Sequence, residues 1–239
     1  MTTDTHAHNG PGMARASGPS VADTLAADGT PPPEPLLQQC YEFLGDEDIP
    51  FSRYTSEGYF QREIEQMWAK TWQWACRVEH LQDVGDCWVY DIGPWSVIVV
   101  RSGEDRIEAF LNTCMHRGTR LIAGEGSRYL SGFACPFHGW SWQLDGALKE
   151  VPGQWDFPHV CGDSHDLQRV QCETWGGFVF INIDPEAEPL STFLEVMPEH
   201  FSHFPLDQRR IRLHVQKRLP ANWKAAQEAF MEAYHNFQT

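Results

Sequence analysis

Apolar side chains follow two different periods along this chain. Phe60, Ile64, Met67, Trp68 and Trp72 recur at three- and four-residue steps, which predicts an amphipathic helix over 59–74, with Thr55 or Ser56 placed to cap its start. From Cys87 the period shortens. Segments 87–91, 95–101 and 107–111 are rich in β-branched and aromatic residues, and Gly93-Pro94 and Gly103-Glu104-Asp105 mark turns between them. Segments 140–144 and 147–151 flank Asp145-Gly146, a strong hairpin signal, and 178–183 reads as a further strand. After Asp184-Pro185 the pattern turns helical over 190–201, alternates like a strand over 212–218, and becomes helical again over 222–234. The prediction is an α+β chain built around a compact antiparallel β domain.

Composition divides the chain further. Residues 1–36 contain no aromatic residue and include Pro31-Pro32-Pro33, so this stretch is expected to be a disordered tail. A helical lead-in over 37–75, the β domain over 76–186 and a further segment over 187–239 complete the predicted layout. Lys and Arg total 18 against 33 Asp and Glu, a net charge of −15 that repels phosphate backbones and argues against nucleic-acid partners. Seven cysteines without regular spacing fit a reduced cytoplasm better than a disulfide framework. No secretory signal and no long uncharged apolar run is visible, so the expectation is a soluble, cytoplasmic protein without a membrane partner.

The chemistry concentrates in Cys114-Met115-His116-Arg117-Gly118 and Cys135-Pro136-Phe137-His138-Gly139-Trp140. Each run mixes one thiol with one imidazole, 18 residues separate them, and both fall between predicted strands. Two such loops can enclose one inorganic centre, with two thiolates on one iron and two neutral imidazoles on the other. A tetrahedral zinc with two Cys and two His is the alternative. Zinc fingers, however, group Cys with Cys and His with His, whereas each pair here is mixed. Cys40, Cys76, Cys87, Cys161 and Cys172 fit no ligand pattern, nor do His80, His159, His165, His200, His203 and His214.

The two runs resemble the Rieske proteins, C-x-H…C-x-x-H, with a gap at the long end of that family's range. The resemblance implies a [2Fe–2S] cluster held by Cys114, His116, Cys135 and His138. Membrane-bound respiratory Rieske proteins carry a further cysteine where this chain has Phe137, and a serine where it has Trp140. The chain therefore resembles the soluble, lower-potential branch. From about residue 48 onward the layout resembles the catalytic α subunit of the Rieske non-heme iron oxygenases, aromatic-ring hydroxylases among them.

The C-terminal residues extend that resemblance. Asn222-Trp223-Lys224, followed by Glu232 and His235, looks like the start of the family's D/E-x2-H-x4-H motif. His235 is then one arm of a 2-His-1-carboxylate site for mononuclear Fe(II). The resemblance makes Glu232 the acidic residue that bridges a cluster histidine of one subunit to an iron ligand of the next. The next histidine of the motif would fall at position 240, so the resemblance implies a truncated α subunit that is inactive by itself, with the start of a helix-grip-like catalytic domain over 187–239. It also implies electrons from NAD(P)H through a flavin reductase with or without a ferredoxin, a homotrimer or α3β3 assembly, O2, and a small organic substrate. A Rieske ferredoxin-like electron carrier without an oxygenase site is the competing reading.

Overall fold

The computed structural model describes residues 18–19, 21–27, 29 and 47–231. The chain divides into two compact units, Met1–Pro50 and Phe51–Thr239. In the first, helix α1 (Val21–Ala27) lies inside the stretch expected to be a disordered tail. Ala22, Ala26, Ala27 and Leu25 supply strong local helix propensity, which composition averaged over 36 residues conceals.

The second unit opens with α2 (Ser52–Thr55) and α3 (Glu57–Glu63). Ser56 caps α3, its hydroxyl accepting the Tyr59 N–H at 3.3 Å. The helix runs on as a π-turn over Ile64–Trp68 and stops there, short of the predicted residue 74. Gln73–Arg77 instead forms strand β1, because residues 73–77 pair with a strand more than 100 positions downstream. Long-range pairing of that kind overrides local periodicity.

Among the described residues ten strands follow one another: β1, β2 (Asp86–Ile92), β3 (Trp95–Gly103), β4 (Arg106–Leu111), β5 (Gly126–Tyr129), β6 (Phe133–Ala134), β7 (Ser141–Trp142), β8 (Leu148–Glu150), β9 (Arg169–Trp175) and β10 (Phe178–Asn182). Seven form one antiparallel sheet in the order β1-β10-β9-β4-β3-β2-β5, and β6-β7-β8 form a small second sheet. The Asp145-Gly146 turn joins β7 to β8 as predicted. Gly146 is needed there because its φ is +85° and a Cβ would overlap the Phe110 ring.

Strand β3 shows how the two faces divide. Val97 and Val99 point into a core with Ala75, Cys76, Val170, Val179 and Ile181. Ile98 and Val100 point the other way, into a core with Phe110, Phe133, Trp140 and Trp142 that lies under the small sheet. All four side chains are fully buried, so β3 is the spine that both cores share.

A short helix α4 (Gly162–His165) precedes β9, and beyond β10 the predicted helix over 190–201 splits into α5 (Leu190–Phe193) and α6 (Met197–His200). Glu195 between them sits at φ +46°, which a continuous helix does not admit. The predicted strand over 212–218 is not a strand, since no described segment pairs with it and Leu213 and Val215 stay exposed. Helix α7 (Trp223–Met231) matches the start of the last predicted helix, whose end lies outside the described residues. No helix among the described residues is long and apolar enough to cross a membrane.

Candidate metal centre

Two loops with the same backbone design converge at one end of the β domain. The first leaves β4, and the second joins β6 to β7. In the first, the Cys114 carbonyl accepts the Gly118 N–H at 2.9 Å, and the Cys114 N–H donates to the Thr119 carbonyl at 2.8 Å. In the second, the Cys135 carbonyl accepts the Gly139 N–H at 3.1 Å, and the Cys135 N–H donates to the Trp140 carbonyl at 2.8 Å. Gly118 and Gly139 both adopt φ +76°. A Cβ at Gly118 would meet nothing within 4 Å, so glycine is required there by backbone conformation alone. Gly118→Ala is accordingly expected to cost about 1–2 kcal/mol of folding stability. The measurement is a urea midpoint, lowered with an unchanged m value.

The tight turns aim backbone donors at sulfur. Cys114 receives the N–H groups of His116 and Arg117, and Cys135 those of Phe137 and His138. The two thiols also hydrogen-bond to each other, and Thr119 donates to Cys135. Burial pushes the Cys114 thiol up, and its bond to Cys135 adds to the rise. At Cys135 burial opposes ionisation, but the converging hydrogen bonds outweigh it and lower the pKa. Both sulfurs lie in the core, with Cys114 at 2% and Cys135 at 4% exposure.

The imidazoles make the second pair. The Nδ1 atoms of His116 and His138 face each other at 3.1 Å, with ring centroids 4.8 Å apart. Burial, the neighbouring His138 and Arg117 hold His116 below the usual histidine range, which favours the neutral, ligand-competent ring. The rings differ in setting. His116 lies flat on the buried Trp140 at 4.9 Å and an interplanar angle of 4°. His138 is exposed, with the Phe137 ring 3.9 Å away.

Sequence order mixes thiol with imidazole, and folding sorts them into a thiol pair and an imidazole pair. Among the described residues no three His, Cys, Asp or Glu side chains converge on one ion-binding point. A single tetrahedral zinc needs four ligands around one centre. A thiol pair and an imidazole pair are the donor set of a two-iron cluster with thiolates on one iron and imidazoles on the other.

Sequence reasoning passed over Asn112, which holds the first loop in place. This buried amide donates to the Ser96 hydroxyl at 3.0 Å and the Ile122 carbonyl at 2.8 Å. Its oxygen accepts the N–H groups of Leu121 and Ile122 at 3.0 and 2.9 Å. The only available signal was an amide among the apolar residues leading into Cys114.

Other sequence candidates separate clearly. Cys76, Cys87 and Cys172 have thiols pushed up mainly by burial, Cys87 to about 11 and Cys172 to about 12, which suits inert packing groups. His80 accepts the Arg77 N–H at 3.1 Å and packs on Trp88. Cys40, Glu232 and His235 lie outside the described residues.

The sequence profile of the Rieske [2Fe–2S] domain matches residues 71–161. This chain carries a Rieske [2Fe–2S] domain. It is also homologous to oxygenase α subunits. The carnitine monooxygenase oxygenase subunit of Escherichia coli K12 is 31% identical over 195 residues, covering 78% of this chain and 50% of that protein. The biphenyl 2,3-dioxygenase subunit alpha of Rhodococcus jostii RHA1 is 31% identical over 189 residues, covering 76% and 41%. Among solved structures, the quaternary ammonium Rieske monooxygenase CntA bound to L-carnitine superposes with a TM-score of 0.72 at 28% identity, over 78% of this chain and 53% of that one. The chain thus spans about half the length of the curated relatives it matches.

Proposed function

We propose that residues 76–186 are the electron-accepting domain of a Rieske oxygenase α subunit, with Cys114 and Cys135 on one iron and His116 and His138 on the other. The observation that carries the reading is the sorting of four ligands, mixed in sequence, into a buried thiol pair and an imidazole pair. A bound cluster supplies a one-electron acceptor and donor, and in an oxygenase its electrons come from NAD(P)H through a flavin reductase, with or without a ferredoxin, and serve a mononuclear Fe(II) that activates O2 toward a small organic substrate. Within this chain, the backbone donors of the two loops stabilise thiolate charge, and the Trp140 stack fixes the His116 ring. The exposed His138 meets an approaching partner. Residues 187–239 begin the catalytic domain, where His235 is an iron ligand and Glu232 links that site to a cluster histidine of a neighbouring subunit in a trimeric assembly. The described cysteines are all free, which fits the reducing cytoplasm proposed as the setting.

The test is a reductive titration of purified protein with iron and acid-labile sulfide analysis. Two irons, two sulfides and a Rieske-type EPR signal on reduction are expected. Stoichiometric zinc without sulfide would overturn the assignment. Trp140 and Phe137 stand where high-potential members have a serine and a disulfide cysteine, so the potential should lie low in the Rieske span of ~−150 to +300 mV. A value near the top would place the chain in the other branch.

A further inference from the structure

The lead-in helices and the first turns of α7 meet around one largely buried ion pair. Glu63 at the end of α3 pairs with Lys224, and their side chains are only 10% and 16% exposed. The second Glu63 oxygen accepts the Trp223 indole N–H at 3.2 Å. The Lys224 ammonium faces three rings, with Tyr59 at 5.2 Å, Trp223 at 5.3 Å and Tyr54 at 5.7 Å from their centroids. Such a cage stabilises a cation that has lost much of its water.

Tyr54 is held on several sides. Its hydroxyl donates to Glu228 at 2.8 Å, one turn beyond Lys224. Its carbonyl accepts the Asn222 amide at 3.0 Å, while the Asn222 oxygen caps α7 by accepting the Lys224 N–H at 3.0 Å. Trp68 packs edge-on against Trp223 at 5.1 Å. Apart from the Asn222 cap and the Trp223 ring beside Lys224, these contacts link residues 54–68 to residues 222–228, more than 150 positions apart. Yet α7 buries no residue fully, so hydrophobic burial alone does not fix it. Its position is set by this polar and aromatic grip.

We infer that the lead-in is a clamp that sets the position of α7, with Tyr54 and Glu63 as positioning residues acting through Lys224 and Glu228. The functional consequence rests on the oxygenase reading, because Glu232 and His235 follow α7 directly in sequence. The lead-in would then hold the iron-binding segment without touching iron.

The test is amide hydrogen exchange on the cluster-loaded 239-residue chain, with the reduced-cluster EPR signal as an internal control. Glu63→Gln leaves the Lys224 cation without its counter-charge, and exchange across 223–231 is expected to speed up roughly tenfold or more. Tyr54→Phe should act in the same direction. Strand amides and the EPR signal should not change. The double variant Glu63→Gln/Lys224→Met removes both charges, and its effect should fall well short of the product of the two single effects. Lys224→Arg keeps a cation in the cage and should restore most of the protection that Lys224→Met loses. The clamp is wrong if α7 exchange in Glu63→Gln and Tyr54→Phe stays within about twofold of the parent. It is equally wrong if the strands and cluster loosen together with α7, since the contacts then serve general stability. In a chain extended past Thr239, Glu63→Gln should lower mononuclear iron or kcat, with KM and cluster iron little changed. If that extended parent binds no second iron, the oxygenase reading fails while the exchange result still decides the clamp.

Discussion

Cys114→Ser is expected to give a protein without the cluster, its iron and sulfide content lowered at least about tenfold, since even outer-shell changes at metal sites cost tenfold or more. The hydroxyl that replaces sulfur is a hard, weakly acidic donor, whereas iron–sulfur chemistry needs a soft thiolate. No described thiol nearby can substitute: Cys87 shares the same core, but its thiol is held up to about 11 and is fully buried. The effect should extend beyond the metal. Metal binding stabilises the fold that presents the ligands, and both sulfurs are built into the core beneath the two loops. A lower unfolding midpoint in the cluster-free variant is therefore expected. Cys161→Ser is the control. That thiol is exposed, lies 3.2 Å from the Ser164 hydroxyl and belongs to neither ligand pair, so its replacement should leave both irons in place. A Cys114→Ser protein that keeps the Rieske EPR signal would remove the basis of the assignment.

What could be read from the sequence follows the range of the interactions involved. Strands β2, β3 and β4 are consecutive and joined by short turns, so their period-two pattern and turn residues were enough to locate them. Strand β1 was misread as the end of a helix, because what makes Gln73–Arg77 extended is its pairing with β10. Residues 212–218 failed in the opposite direction. They have the alternation of a strand, but in the described chain they have no neighbour, and a strand is a property of a pair. The four ligands were plain in sequence because the loops are short and their residue types uncommon together. Their sorting into like pairs was not visible, since it arises only when two similar turns face each other across the end of the domain. Asn112 escaped notice for the same reason. An amide looks unremarkable until its four hydrogen bonds are seen to join β3 to both ends of a loop.

In a chain extended past Thr239 to the length of its relatives, His235→Ala is expected to empty the mononuclear iron site while leaving the reduced-cluster spectrum unchanged. The site would lose one of only three protein ligands in a 2-His-1-carboxylate arrangement, and the remaining two donors hold Fe(II) weakly. Iron per chain should fall by the mononuclear share alone, and substrate hydroxylation should fall below detection. Glu232→Gln separates a different function. An amide is nearly the same size as a carboxylate and deletes no proposed ligand, so both metal centres should remain. The charge proposed to accept hydrogen bonds from two histidines is lost, and charge-assisted bonds are about twice as strong as neutral ones. Rapid-mixing measurements should then show the cluster reduced at the parent rate by its reductase but reoxidised far more slowly in the presence of substrate and O2. The 239-residue chain by itself, which spans about half the length of its curated relatives, should accept electrons from a reductase without coupled substrate oxidation. Hydroxylation by that short chain, or an extended chain that binds no second iron, would favour an electron carrier over an oxygenase.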